Sequence, residues 1–228
     1  MGDHRSLVMS HRLLVHLDNL KIFILNFMTS LMHQIIAWFG WGNGIGAQAG
    51  ISAILTIAVI LAPVIAGLLL FGLERLQVAL LKEINYDFAY FFVNFLTFPG
   101  TFIHEMAHLC FGVITGAEIH EICMFENDGG RLGHISYSVR GPWFMQAIQH
   151  SLTAVAPTIV GFTLGFFLLR IIFAGGLSTW AYIGLWYLVI SLIDHSTMSD
   201  ADLKHYFQGV WIFIAPLFIF FFAIGKFA

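Results

Sequence analysis

Long apolar runs separated by short polar junctions set the pattern of this chain. Residues 51–73 carry no charge, and at ~1.5 Å per helical residue they are long enough to cross the ~30 Å hydrocarbon core of a bilayer. Pro63 predicts a kink within that span. Further spans are expected at 88–115, where Pro99 in mid-helix one turn before His104 predicts a second bend, and at 143–173, 178–193 and 203–227, with a polar, still helical connection through Glu74, Arg75, Lys82, Glu83 and Asp87. Residues 7–39 read differently. Arg12, His16, Asn19, Asn26, Ser30 and His33 recur at spacings of three, four or seven and form one polar stripe on an otherwise leucine-rich helix. That stripe suits a helix lying in the membrane interface, followed by a glycine-rich break at 40–46.

The period changes once. Residues 117–125 and 133–139 alternate as strands around the turn signal Asn127-Asp128-Gly129-Gly130, so a β-hairpin insert is expected at about 116–142. The fold class is therefore an all-α polytopic membrane protein of five or six transmembrane helices, with an N-terminal amphipathic helix and a small β-hairpin. Residues 1–50 form the interfacial element and linker, and residues 51–228 the membrane-embedded domain.

Composition agrees with this reading. Of 228 residues 59% are hydrophobic and 10% charged, with 24 phenylalanines, and the mean hydropathy is +0.85. A soluble domain of this size cannot bury that much apolar surface, so the lipid bilayer is the expected solvent and an integral, multi-pass location follows, the cell membrane in a prokaryote. Ten scattered Lys and Arg and a net charge of −3 leave no basic stripe for nucleic acid. The N-terminus lacks a short apolar run ending in small residues, so the later spans are expected to act as insertion signals. Cys110 and Cys123 lack CxxC spacing and read as apolar fillers.

One polar group interrupts the second span: His104-Glu105-Met106-Ala107-His108, an HExxH motif. Histidines four apart on a helix sit ~40° apart around the axis with Cβ atoms ~6 Å from each other, so both rings reach one ion, and zinc suits them. Glu105 is turned ~100° from His104, too far round to ligate but near enough to act as general base toward a water at the metal. An unpaired ionisable group inside a span costs roughly 2.5–3.5 kcal/mol, so three together imply a shared purpose. That purpose reads as hydrolysis of a peptide bond.

A catalytic zinc site usually takes a third protein ligand. The junction 194–202 packs Asp194, Asp200 and Asp202 between two apolar runs. Asp202 is favoured over Asp200 and Asp194, because Ser199-x-x-Asp202 is also a capping-box start for the last helix and fixes its carboxylate. His195 is a candidate to polarise the substrate carbonyl or to ligate. His120, His134, His150 and His205 fall near span ends, where a solvated or hydrogen-bonded role is expected.

Over residues 88–227 this arrangement resembles the site-2 protease family of intramembrane zinc metalloproteases: an HExxH helix, a β-rich insert, a later span with Ala156-Pro157 and a late aspartate at the mouth of a helix. The resemblance implies Zn2+ held by His104, His108 and Asp202, Glu105 as catalytic base, and a membrane-embedded or juxtamembrane protein segment as substrate. Family members commonly carry the aspartate in a Leu-Asp-Gly context preceded by Asn-x-x-Pro. This chain has neither and matches instead the Ser-x-x-Asp form of some compact relatives, with His195 the candidate to replace the missing asparagine.

Competing readings are a prenyl-protease or heat-shock type metalloprotease, a membrane di-iron oxygenase of the desaturase kind, and a non-catalytic membrane scaffold with a relict site. The first looks for a late glutamate ligand, and downstream of the motif only Glu118, Glu121 and Glu126 exist, all in the polar insert. The second is expected to show several clustered histidine boxes, and only His104/His108 forms such a pair.

Overall fold

Helical bonding takes up the apolar runs almost end to end in the computed structural model, which describes residues 44–92, 96–123 and 133–225 together with scattered helical positions between 22 and 37. Most of the expected 7–39 helix, the first part of the glycine-rich break and the 127–130 turn lie outside the described residues. Helix α1 (Ile45–Ile84) contains Pro63 and runs on through the Glu74–Glu83 connection. Helix α2 (Tyr86–Phe91) is capped by Asn85, whose side chain accepts from the Phe88 N–H.

The HExxH helix, α3, covers Phe98–Thr115. The sequence predicts a single helix from Phe88 with Pro99 as a kink in its middle, and here the structure differs. Bonding widens to the i→i−5 pattern at residues 92 and 96, with Thr97 N–H donating to Phe92 O at 3.0 Å, and the helix restarts at Phe98. Pro99 has no N–H for the carbonyl four residues back, so it falls in a first turn, where none is needed.

The start of α3 is buried and Thr97 makes no side-chain cap. A serine from another helix replaces it. Ser191 Oγ accepts from Gly100 N–H and donates to Thr97 O, both at 2.7 Å. At the other end Gly116, at φ 82°, closes a left-handed cap in which Ala117 N–H donates to Gly112 O at 2.9 Å. That reversal sends the chain into the hairpin.

Strands β1 (Glu118–Cys123) and β2 (His134–Ser138) pair antiparallel, Ile119 opposite Tyr137 and Ile122 opposite Ile135, with an irregularity between Ile119 and Glu121. Gln149, 1% exposed, ties the hairpin down: its Oε1 accepts from Arg140 N–H at 2.7 Å and its Nε2 donates to Thr115 O at 3.0 Å. The remaining elements are α4 (Trp143–Ala174), α5 (Thr179–His195), α6 (Asp200–Gly209), a 3₁₀ turn (Val210–Phe213) and α7 (Ile214–Gly225). Among the described residues three helical stretches, Ile45–Ile84, Trp143–Ala174 and Asp200–Gly225, are long and apolar enough to cross a membrane.

The chain divides into two compact units. One, made of residues up to Ala58 and from Ile214 onward, packs Ile51 and Leu55 against Phe221 and Ile224. The other, Val59–Phe213, contains the HExxH helix and is built around α4. The buried face of α4 is small and polar, including Ala147, Ser151, Thr153, Ala154, Ala156, Thr158 and Gly161, while large apolar side chains such as Leu69, Ile114 and Trp180 are exposed. Small residues inside and large apolar ones outside is the packing expected of helices surrounded by lipid. Several hydroxyls bond back to their own helix, among them Ser52 to Gln48 O, Thr56 to Ser52 O, Thr115 to Phe111 O and Ser151 to Ala147 O.

Close approaches occur where a side chain is missing. A Cβ on Gly100 would lie 1.9 Å from Ser191 O, and one on Gly161 would lie 1.7 Å from Ser196 Oγ. Gly165, its partner in the Gly161-x-x-x-Gly165 spacing, has nothing within 4 Å. Gly100→Ala should therefore cost roughly 1–3 kcal/mol through overpacking, seen as a lower melting temperature in detergent, whereas Gly165→Ala should leave it unchanged. Equal melting of the two variants would contradict the α3–α5 contact.

Candidate metal centre

His104 and His108 occupy successive turns of α3, and Asp202 is the third residue of α6. One potential ligand atom from each of the three lies within 4.8 Å of the others. The two Nε2 atoms are 3.1 Å apart, and His108 Nε2 is 3.4 Å from Asp202 Oδ1.

Each ring is aimed from behind by a helix carbonyl. His108 Nδ1 is 2.8 Å from Thr153 O, and His104 Nδ1 meets His195 O. A carbonyl only accepts, so both Nδ1 atoms carry a proton, and each ring in its neutral form presents an Nε2 lone pair. The 3.1 Å contact between the rings is therefore not a hydrogen bond between neutral histidines. Two lone pairs beside a carboxylate oxygen repel unless a cation, either a proton or a metal ion, lies among them.

Both carbonyls are ones that their own helices cannot use. Thr153 O would ordinarily accept from residue 157, which is Pro157 and has no N–H. His195 is the last residue of α5, so its carbonyl is one of the four left over at a helix end. Asp202 is fixed with equal economy. Ser199 Oγ accepts from Asp202 N–H, while Asp202 Oδ2 accepts from Ser199 N–H at 3.0 Å and from Ser199 Oγ at 2.7 Å. The capping box holds one carboxylate oxygen and leaves Oδ1 for the histidines.

These groups open onto a cavity of about 460 Å³ that Glu105 and His195 also line. The His195 ring lies 2.9 Å (Nε2) from Thr97 Oγ1 and 3.3 Å from Thr101 Oγ1. Asp194 and Asp200, the other aspartates of the junction, stay outside the His104/His108/Asp202 group: Asp194 is buried against Gln77, and Asp200 is exposed. Of the remaining histidines, His120 bonds Ser138 Oγ, His134 lies 3.8 Å from Glu121, and His150 and His205 stack with Nδ1 atoms 3.0 Å apart. Neither Cys110 nor Cys123 forms a disulfide with a described residue or belongs to this group.

Tyr137 of β2 is a wall residue that sequence reasoning did not single out. Burial, and then the negative charge of Asp202, push its phenol up to about 12. It stays protonated across the physiological range, and its hydroxyl makes no hydrogen bond to another described residue. Thr153 and Ser191 were missed as well. The proline at 157 was a usable signal for Thr153; nothing local marks Ser191.

Searches of protein-family models, curated proteins and solved structures find no match for the chain.

Two outcomes are expected for metal binding. Divalent metal held by this group, measured by elemental analysis of the purified protein, should be lost in His108→Ala and Asp202→Asn and kept in Glu105→Gln, Asp200→Asn and Asp194→Asn. Pro157→Ala returns an N–H to Thr153 O in competition with His108, and should weaken zinc affinity roughly 10- to 100-fold with no loss of thermal stability. Unchanged affinity would show that the carbonyl does not orient the ring.

Proposed function

We propose that the chain is an intramembrane zinc metalloprotease, similar to the site-2 proteases, that cleaves a membrane-embedded or juxtamembrane protein segment. The observation that carries this is the convergence of His104 Nε2, His108 Nε2 and Asp202 Oδ1 beside Glu105 on the wall of one cavity. In this reading α3 and α5 also lie within the bilayer, which brings the count to five spans, with a sixth if the 7–39 segment crosses.

The donor set fits zinc. Ligands ~2.0–2.1 Å from a tetrahedral ion stand roughly 3.3–3.5 Å from each other, and the two edges that meet at His108 Nε2 are 3.1 and 3.4 Å. Two imidazoles and one carboxylate, with their far sides engaged by carbonyls and a cap, are a common protein contribution to a catalytic zinc site. The ion supplies a positive charge that eases deprotonation of water near neutral pH and polarises a carbonyl.

The chain's own groups do the rest. Glu105 takes the proton from the attacking water and passes it to the leaving amide nitrogen. Tyr137, neutral and turned into the cavity, donates a hydrogen bond to the carbonyl oxygen as negative charge develops there, and His195 is a second donor on the same wall. Strand β2 presents the substrate's backbone. One of its edges pairs with β1, and His134, Ile135 and Tyr137 line the cavity, so an extended segment can add to the other edge and expose the amide that a helix would hide.

The test is cleavage of a labelled single-span substrate by the purified, zinc-loaded protein in lipid nanodiscs. Glu105→Gln should abolish turnover while retaining metal. Tyr137→Phe should lower kcat about 10²–10³-fold with little change in KM. Turnover that survives Glu105→Gln would sink the protease reading.

A further inference from the structure

The cavity holds more negative charge than a metal centre uses. Among the described residues four carboxylates line it, Glu74, Glu105, Asp194 and Asp202, and no Lys or Arg does. A divalent ion on His104, His108 and Asp202 offsets Asp202 and Glu105. Glu74 and Asp194 remain.

Asp194 is 2% exposed, at the end of α5. Its Oδ2 accepts from Gln77 Nε2 at 3.0 Å, while its Oδ1 is buried with no partner among the described residues. Glu74 precedes Gln77 by three residues on α1, hence on the same helix face, and is half-buried. It makes no salt bridge with a described residue: Arg75 lies over the Phe71 ring, 4.8 Å from the centroid, and attracts Glu74 only through its charge. A buried carboxylate with one oxygen left over, repelled by the charge of a second carboxylate, is costly unless a cation or a proton joins them.

We propose that Glu74 and Asp194 form a subsite for the ammonium or guanidinium group of a Lys or Arg side chain in the bound segment. What that side chain is attached to rests on the protease reading; the cation preference does not. Two carboxylates suit a group with three or five N–H donors, each bond charge-assisted. They suit a resident metal less well. Hard cations take six or more oxygens, and the only group of three or more converging ligands among the described residues is His104/His108/Asp202. Membrane segments also carry Lys and Arg at their borders, on stems long enough to reach inward from the interface. The substrate class is thus a span with a basic residue close to the bond that is cut.

The experiment uses the full chain with Glu105→Gln in zinc-loaded nanodiscs. Fluorescent peptides carry an apolar segment and, at each position of its flank in turn, one Lys, Arg, norleucine or Glu. At one or two positions Lys and Arg should bind roughly 10- to 100-fold tighter than norleucine. Adding Glu74→Gln or Asp194→Asn should erase that difference without changing norleucine binding, and Glu74→Lys should turn the preference toward Glu. Equal binding of Lys and norleucine throughout would overturn the subsite, because the carboxylates then hold only a proton. So would a preference that survives both neutral variants, or a second equivalent of divalent metal that Glu74→Gln removes. If wild type binds the Lys peptides preferentially but cuts none of them, the subsite stands and the protease reading falls.

Discussion

A helix carbonyl without an N–H partner is the constraint around which the candidate centre is arranged. Where water is scarce, such a carbonyl needs another donor, and here two of them take the Nδ1 protons of two histidines. Pro157 creates one by lacking an N–H, and the end of α5 creates the other. A defect in α4 and a terminus of α5 thereby fix the tautomer of both rings on α3. Helix packing and ligand chemistry are one problem, solved together.

The same economy explains why small residues sit where they do. Gly100 lets α3 approach α5 closely enough for Ser191 to replace the missing cap and for the His195 carbonyl to reach His104. Gly161 admits Ser196, and Thr158 holds Ser196 O at 3.0 Å, which steadies the junction leading to Asp202. Neither glycine is one of the three converging residues, yet each admits a close contact between helices that carry or support them.

Legibility in the sequence followed the range of the interaction. HExxH spacing, the Ser199/Asp202 capping box and the alternation of the hairpin are local, and the structure places all three where spacing alone predicts them. Pro99 was seen but misplaced, because pattern alone does not tell a kink within a helix from the first turn of a new one. Pro157 marks the freed Thr153 carbonyl, but its meeting with His108 was out of reach, as were Ser191 and the Glu74/Asp194 pair. Each depends on which faces of distant helices meet, and in chains this apolar the hydropathy pattern is almost uniform around the helix, so it carries little information about facing.

The hydroxyls that bond back within their own helices bear on the order of assembly. Ser52, Thr56, Thr115 and Ser151 are satisfied as soon as their helix forms, before it has met any neighbour. Such segments can enter a bilayer one at a time without carrying an unsatisfied hydroxyl into hydrocarbon. Gln149, Ser191 and His108, by contrast, find partners only on other elements. On the membrane reading, insertion precedes the centre: the helices are threaded first, and the three side chains meet only once α3, α4, α5 and α6 have come together, so a chain caught midway has its spans but no candidate centre.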